Sequence, residues 1–282
     1  MAQDDQTLRI GAYDLRLPPE HNLPTILQKH PQYDRLYWDI IGALLAENDL
    51  ADTCQLIDIG ANVGDSAAHF RRHATGPVWA IEAHPDYFTY LQANTAGMGD
   101  VTCTQALVAP PALAAKVSLD IHDGTGSTRL DGTGPFQGQT LSPAKLMAGA
   151  RTPCMIKSDT DGFDGRIISA LIPKMQATGT WPAIVTFEGP RLDQVENNEP
   201  ARHHAALTAL MQRGYTLQIL TNTGLPVAYL GANTQALDWH MRSHRASVQA
   251  GVPAAHYFDY ICIAPGLNTR TLTFAPDGPI RL

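Results

Sequence analysis

Charge is scarce in this chain. Only 17% of its 282 residues are Asp, Glu, Lys or Arg, against 44% that are hydrophobic. That balance excludes a charge-swollen disordered segment, because so apolar a chain can bury a sizeable interior. Basic charge is scarcer still: 20 Lys and Arg face 27 Asp and Glu, for a net charge of -7. No run of like charge reverses this locally, so docking on nucleic acid or an anionic membrane through a basic surface is not expected.

Long apolar runs are missing as well. Nowhere do about 18 uninterrupted apolar residues occur, so no membrane-spanning helix is expected. The opening MAQDDQTLRIGAYDLRLPPEHN has neither a basic leader nor an apolar stretch and is expected not to be a signal or an anchor. Cysteine is sparse too. Cys54, Cys103, Cys154 and Cys262 lie far apart, with no CxxC pair to suggest zinc or redox chemistry. Each sits in or beside an apolar run, which reads as a buried thiol in a reducing cytosol and makes a cytoplasmic location the expectation. No internal repeat is present. The length suits one core domain, residues 51–282, with residues 1–50 as an N-terminal extension packing on it.

What is present is alternation. The runs QLIDIG (55–60), PVWAIEA (77–83), VTCTQALV (101–108), PCMIKSD (153–159) and AIVTFE (183–188) are short, nearly continuous and rich in Val and Ile, and read as buried strands. Phe163, Ile167, Ile168, Leu171, Ile172 and Met175 form a helical stripe that Pro173 is expected to kink or to end early. Ala206, Leu207, Leu210 and Met211 form another, closed by Gly214 ahead of the strand YTLQIL. PVAYL and YFDYICIA read as further strands, with a helix over 233–249 between them. Residues 1–50 hold an extended start and then a helix through Leu36, Ile40, Ile41, Leu44 and Leu45. The pattern is that of an α/β domain with a mostly parallel, Rossmann-like sheet wrapped by helices. The glycine-dense stretch 122–138 reads as a hairpin connection ahead of a lid, with Ser127, Thr128 and Arg129 as its candidate substrate contacts.

The stretch from Leu56 to Ser66, LIDIGANVGDS, is a strand running into a small-residue turn and then a helix. Such a turn, at the carboxyl end of a strand, admits a ligand against the backbone. A dinucleotide fingerprint wants glycine where Asn62 stands, and the Gly-Lys-Ser/Thr ending of a Walker loop is absent. Asp58 would repel a phosphate and suits a cationic group, such as the amino group of an amino-acid moiety. The next strand ends at Glu82, where a carboxylate is placed to accept from both hydroxyls of a ribose.

DIGANVGDS followed by AIEAHPDYFTYLQAN resembles a class I S-adenosylmethionine-dependent methyltransferase. MIKSDTDGFDGRII, followed by PAIVTFE and RGYTLQILTNTGLPV, is similar to the FkbM family within that class. The resemblance spans roughly residues 54–265. It implies a seven-stranded sheet with one antiparallel strand, S-adenosylmethionine as donor, and O-methylation of a hydroxyl on a saccharide or natural-product acceptor. Carried onto this chain, it implies that Asp58, Gly60, Asn62 and Gly64 line the methionine part of the donor and that Glu82 meets its ribose. It sets Gln105 and Ala106 near adenine. The family has Glu where this chain has Asp161 and Asp164, so any role needing the longer reach is in question.

Asp159, Asp161, Asp164 and Glu188 are expected to gather at the carboxyl ends of adjacent strands. Methyl transfer to an alcohol needs an aligned acceptor and a base for its proton. Asp159 or Glu188 is the candidate base and Asp161 a further catalytic candidate. Lys157 either holds a carboxylate or eases the charge of the developing alkoxide, with a merely paired strand lysine weighed equally. DTDGFD does not fit a calcium loop, whose glycine comes later. A divalent cation on Asp159, Asp161 and Glu188 is the lesser expectation, and no metal is assigned.

The helix-spaced pairs His69/His73 and His240/His244 lack the zinc-helix pattern and read as structural. His84 reads as a ribose or adenine contact, or equally as a turn cap. Arg191, His203 and His204 are weak candidates for an acceptor groove, and Tyr33, Tyr37 and Trp38 read as core ahead of an acceptor cover. The rival functions are a nicotinamide-dependent oxidoreductase of the same fold and a cofactor-binding protein without turnover.

Overall fold

The computed structural model describes residues 4–114, 116–122, 125–129, 136, 138–192 and 199–272. The chain begins with a hairpin, β1 (Gln6–Ile10) and β2 (Tyr13–Leu17), followed by helices α1 (Leu23–Lys29) and α2 (Arg35–Glu47). Next come β3 (Gln55–Ile59), α3 (Asp65–Phe70), β4 (Val78–Glu82), α4 (Pro85–Thr95) and β5 (Val101–Gln105). Short elements follow: β6 (Leu107–Val108), α5 (Pro111–Ala114), the pair β7 (Ser118–His122) and β8 (Thr125–Arg129), then β9 (Thr140–Leu141) and α6 (Pro143–Gly149). The second half is β10 (Cys154–Ser158), α7 (Asp164–Thr178), β11 (Ile184–Glu188), α8 (Glu199–Gln212), β12 (Thr216–Thr221), β13 (Pro226–Tyr229), α9 (Thr234–Gln249) and β14 (Phe258–Ile263).

Among the described residues, the central sheet has eight strands in the order β13-β12-β14-β11-β10-β3-β4-β5. β5, β4, β3, β10 and β11 are parallel neighbours, and β14 is inserted antiparallel between β11 and β12. This is the mostly parallel sheet the class I resemblance implies. It carries one strand more than the implied seven: PVAYL closes back on β12 as the antiparallel edge strand β13. The order of the parallel strands reverses between β3 and β10, and a crevice at such a switch point is where open α/β sheets bind ligands.

Two apolar layers enclose the sheet. Ile57, Ile59, Ile156 and Val185 pack with Leu146 of α6, Ile167 and Leu171 of α7, Leu207 and Leu210 of α8 and Leu237 of α9. Leu56, Val78, Met155 and Ile184 point the other way, onto Trp38, Ile41 and Leu45 of α2, Ala67 and Phe70 of α3 and Leu91 of α4. The central strands β3 and β10 are buried along their whole length, as their continuous apolar runs require.

Pro173 neither ends nor shortens α7, which continues to Thr178. Its ring lies on the exposed face, where the carbonyl that loses its partner is free to meet water. The run 101–108 is not one strand. It breaks at Ala106, whose N–H donates to the Glu82 carbonyl at 3.0 Å, and β6 then pairs with β9 instead. In the glycine-dense stretch, β7 and β8 pair antiparallel as a hairpin; its turn residues 123–124 and residues 130–135 lie outside the described residues. Cys54, Cys154 and Cys262 are buried free thiols, and Cys103 is a half-buried one.

Candidate functional site

The turn after β3 is shaped by contact with the loop after β10. Gly60 sits at φ 78°, and a Cβ placed there would lie 1.9 Å from the Asp159 carbonyl oxygen, so only glycine fits. The Asp159 N–H in turn donates to the Ile59 carbonyl at 2.9 Å, carrying the β3/β10 ladder into both loops. Asn62 takes the left-handed conformation at φ 46°, which asparagine tolerates better than most side chains, and Gly64 takes it at φ 90° before α3 begins.

Glu82, at the end of β4, closes the side of this turn. Its carboxylate is buried and accepts from the Asn62 N–H at 2.8 Å and the His84 N–H at 2.7 Å. Burial pushes it up to about 7, against the pull of the backbone amides of His84, Asn62 and Ala83. A carboxylate offers about four acceptor sites, so capacity remains for further donors. Gln105 and Ala106 stand on the neighbouring strand end, Gln105 in register with Glu82 and exposed, Ala106 buried. His84 caps α4, its Nδ1 accepting from the Asp86 N–H at 3.3 Å.

Asp58 and Lys157 are register partners on β3 and β10. Asp58 is fully buried, and neither of its carboxylate oxygens has a hydrogen-bond partner among the described residues. The Lys157 ammonium lies 3.6 Å from Asp58 Oδ1 and 3.0 Å from Asp159 Oδ2. Burial raises the Asp58 pKa to about 6, with Lys157 opposing. Burial works against the Lys157 charge, but Asp159 and Asp58 outweigh it and hold the ammonium well above the ordinary lysine value. Asp159 is the accessible member, its side chain 46% exposed.

The four expected carboxylates do not share one role. Asp161 is exposed, in a left-handed turn at φ 51°. Asp164 is 1% exposed and accepts from Ser158 Oγ at 2.6 Å, Thr160 Oγ1 at 3.0 Å and the Thr160 N–H at 3.1 Å. It braces the loop after β10 from behind, and its acceptor capacity is used inside the protein. Glu188 is half-buried at the end of β11, opposite Asp259 of β14. Burial, together with Asp161, Asp159, Asp164 and Asp259, raises its pKa well above the carboxylate norm. Among the described residues, no group of three His, Cys, Asp or Glu side chains is arranged to hold a metal ion.

Other candidates resolve into structure. Tyr37 and Trp38 are buried, with the Tyr37 hydroxyl donating to Thr186 Oγ1 at 2.6 Å. His203 is 1% exposed, with Nε2 3.0 Å from the Glu188 carbonyl, so it supports β11 from inside and does not line a groove. His204 pairs with Asp238 of α9 at 2.6 Å. His69 stacks on Trp38, and His240 and His244 pack edge-on against Phe258.

Asp34 and His21, at this edge, escape a reading of the sequence, and Tyr33, which the sequence offers as core or acceptor cover, stands beside Asp34. Asp34, at φ 58° between α1 and α2, is pushed up to about 8 by burial, with Asp65, Lys157 and Asp159 close enough to influence it. Tyr33 is held well above its usual value by Asp34 first, then by burial and by Tyr257, Asp159 and Asp259. His21 reaches Asn62 Oδ1 from 3.3 Å. None of these residues lies in a periodic run, and only the three-dimensional arrangement brings them to the ends of β3, β10 and β14. Among the described residues, no helix is long and apolar enough to cross a membrane.

No protein-family model matches the chain, and no curated protein matches it. Among solved structures, the chain is similar to an O-methyltransferase from Bacillus cereus in complex with SAH, at 10% identity over 86% of this chain and 90% of that chain, with a TM-score of 0.45. It is similar to a SAM-dependent methyltransferase from Geobacter sulfurreducens in complex with S-adenosyl-L-homocysteine, at 12% identity over 80% of this chain and 88% of that one, with a TM-score of 0.40. It is also similar to precorrin-6y C5,15-methyltransferase from Geobacter metallireducens GS-15, at 15% identity over 64% of this chain and 74% of that one, with a TM-score of 0.38.

Proposed function

We propose that this chain is an S-adenosylmethionine-dependent O-methyltransferase of FkbM type, acting on a hydroxyl of a saccharide or natural-product acceptor. The observation that carries the reading is Glu82: a buried carboxylate at the end of β4, fixed by two backbone N–H donors beside the Gly60–Gly64 turn, with acceptor capacity left for a ribose diol. Buried Asp58 makes no hydrogen bond among the described residues beyond its 3.6 Å ion pair with Lys157, and its remaining acceptor capacity suits an ammonium group and disfavours a phosphate, which sets the reading against a dinucleotide. Gln105 and Ala106 are assigned to the adenine side.

S-adenosylmethionine, when bound, supplies an electrophilic methyl group on a sulfonium. The protein's own part is alignment and proton handling. Asp159 keeps Oδ2 on Lys157 and has its other oxygen available to take the acceptor hydroxyl's proton. Lys157 holds Asp159 in place and lowers the cost of charge on the attacking oxygen. Glu188 and Asp161 flank the same opening as acceptor contacts, and Asp164 acts through the loop it braces.

A donor-labelled screen against sugars, nucleotide sugars and polysaccharide fragments, with and without chelator, tests the reaction. Calorimetry with S-adenosylhomocysteine and with NADH tests the donor. Tight NADH binding without S-adenosylhomocysteine binding would replace this reading with a nicotinamide-dependent oxidoreductase.

A further inference from the structure

The N-terminal hairpin is bolted to the turn that follows β3. Asn94 of α4 accepts from the Arg16 N–H at 2.8 Å and donates to both the Arg16 carbonyl at 2.9 Å and the Val63 carbonyl at 2.8 Å. Leu17, Val63 and Tyr87 form a small buried cluster of their own. The loop after β2 is clasped from the other side by Gln6, whose Nε2 points at the carbonyls of Pro18, Pro19 and His21 at 3.2, 2.7 and 3.1 Å. These contacts deliver His21, 5% exposed, onto Asn62.

The protonation of His21 follows from its partners. The Leu23 N–H donates to Nδ1 at 3.2 Å, so the ring proton sits on Nε2 and is offered to Asn62 Oδ1 at 3.3 Å. Asn62 holds an uncommon left-handed backbone, and that backbone aims its N–H at Glu82 Oε2, 2.8 Å away. A side chain anchored by His21 keeps the peptide in that orientation.

We infer that His21 is a positioning residue for the donor site, acting through Asn62 to hold the turn and Glu82 in the geometry that grips the ribose. The inference rests on the donor reading given above. It makes the N-terminal hairpin a working part of the donor site, because the hairpin sets where His21 stands.

Two substitutions separate this role from support of the fold, measured by calorimetry with S-adenosylhomocysteine on the full chain. His21→Asn keeps an acceptor for the Leu23 N–H but is too short to reach Asn62, and should weaken binding by about fivefold to tenfold, the ratio an ordinary hydrogen bond corresponds to. His21→Gln keeps a donor for Asn62 and gives up the Leu23 contact, and should stay within about threefold of the parent. The reverse order, or equal loss in both, overturns the inference. Asn62→Gly should weaken binding about as much as His21→Asn, and adding His21→Asn to it should cost nothing more; additive losses overturn the inference. Should His21→Asn not fold, Asn62→Gly decides alone, and unchanged affinity there overturns it. A parent chain that binds no S-adenosylhomocysteine overturns the donor reading and this inference together. A parent that binds, with His21→Asn unaffected, overturns only the inference.

Discussion

Lys157 and Asp58 face each other across the β10/β3 ladder, 3.6 Å apart and both buried, and Lys157 is the cation that also reaches the accessible Asp159. The pair joins the floor of the turn proposed to hold the donor to the loop where the acceptor is proposed to react. Removing Lys157 would leave Asp58 fully buried without its cation, so that it takes up a proton at a free-energy cost and the ion pair is lost. Lys157→Met is therefore expected to destabilise the chain by about 3 kcal/mol or more. Adding Asp58→Asn should restore part of that loss, which urea denaturation of the single and double variants measures.

Glu82→Ala removes the acceptor proposed for the ribose and leaves the Asn62 and His84 N–H groups unpaired. Affinity for S-adenosylhomocysteine should fall by roughly 2–3 kcal/mol, about thirtyfold or more. Calorimetry reads this directly, and an unchanged affinity removes Glu82 from the donor site.

The same carboxylate sets a pH dependence. Burial raises Glu82 to about 7 from an ordinary 4.5, so near neutrality a large share of it is protonated without ligand. A diol donates best to the ionised form, so binding lowers the Glu82 pKa and releases a proton. Affinity for S-adenosylhomocysteine should rise from pH 5 to about pH 8 and then level off. Glu82→Gln should flatten the rise near neutrality, leaving the part due to Asp58, whose pKa is about 6.

Asp159→Asn should cut turnover by roughly two to four powers of ten, the range for a general base, and change S-adenosylhomocysteine affinity by less than about threefold. Single-turnover rates with an identified acceptor separate the two effects. An unchanged rate passes the role of base to Glu188.

Asp164→Ala tests the brace. With three donors left without their buried acceptor, the loss should be about 2–4 kcal/mol of stability, read by denaturation. Turnover measured well below the unfolding range should fall only as far as the loop shifts.

The strands of the sheet are legible in the sequence because buried parallel strands need continuous apolar runs, and QLIDI, CMIKS and IVTFE supply them. The run 101–108 changes character at Ala106, from VTCTQ with its Thr and Gln to the wholly apolar ALV, but without a Gly or Pro to mark a break the eight residues read as one strand. Pro173 misled for a related reason: its effect depends on which face of α7 it occupies, and that is a tertiary fact. In the candidate site, the grouping of Asp58, Gly60, Asn62, Gly64 and Glu82 is legible because they surround one local turn and the next strand end. His21 is not, because it meets Asn62 from 41 positions away with no pattern linking them. The different roles of Asp164 and Asp159 were hidden likewise, since their spacing says nothing of which one Ser158 and Thr160 surround.

The carbonyl of Asp159 rests where Gly60 has no side chain, so the two halves of the sheet interlock at their mouth like a key seated in its ward. Any attempt to replace the loop after β10 with one from another protein inherits that constraint. A transplant will seat only if its first carbonyl returns to the same spot above residue 60, whatever chemistry it carries beyond.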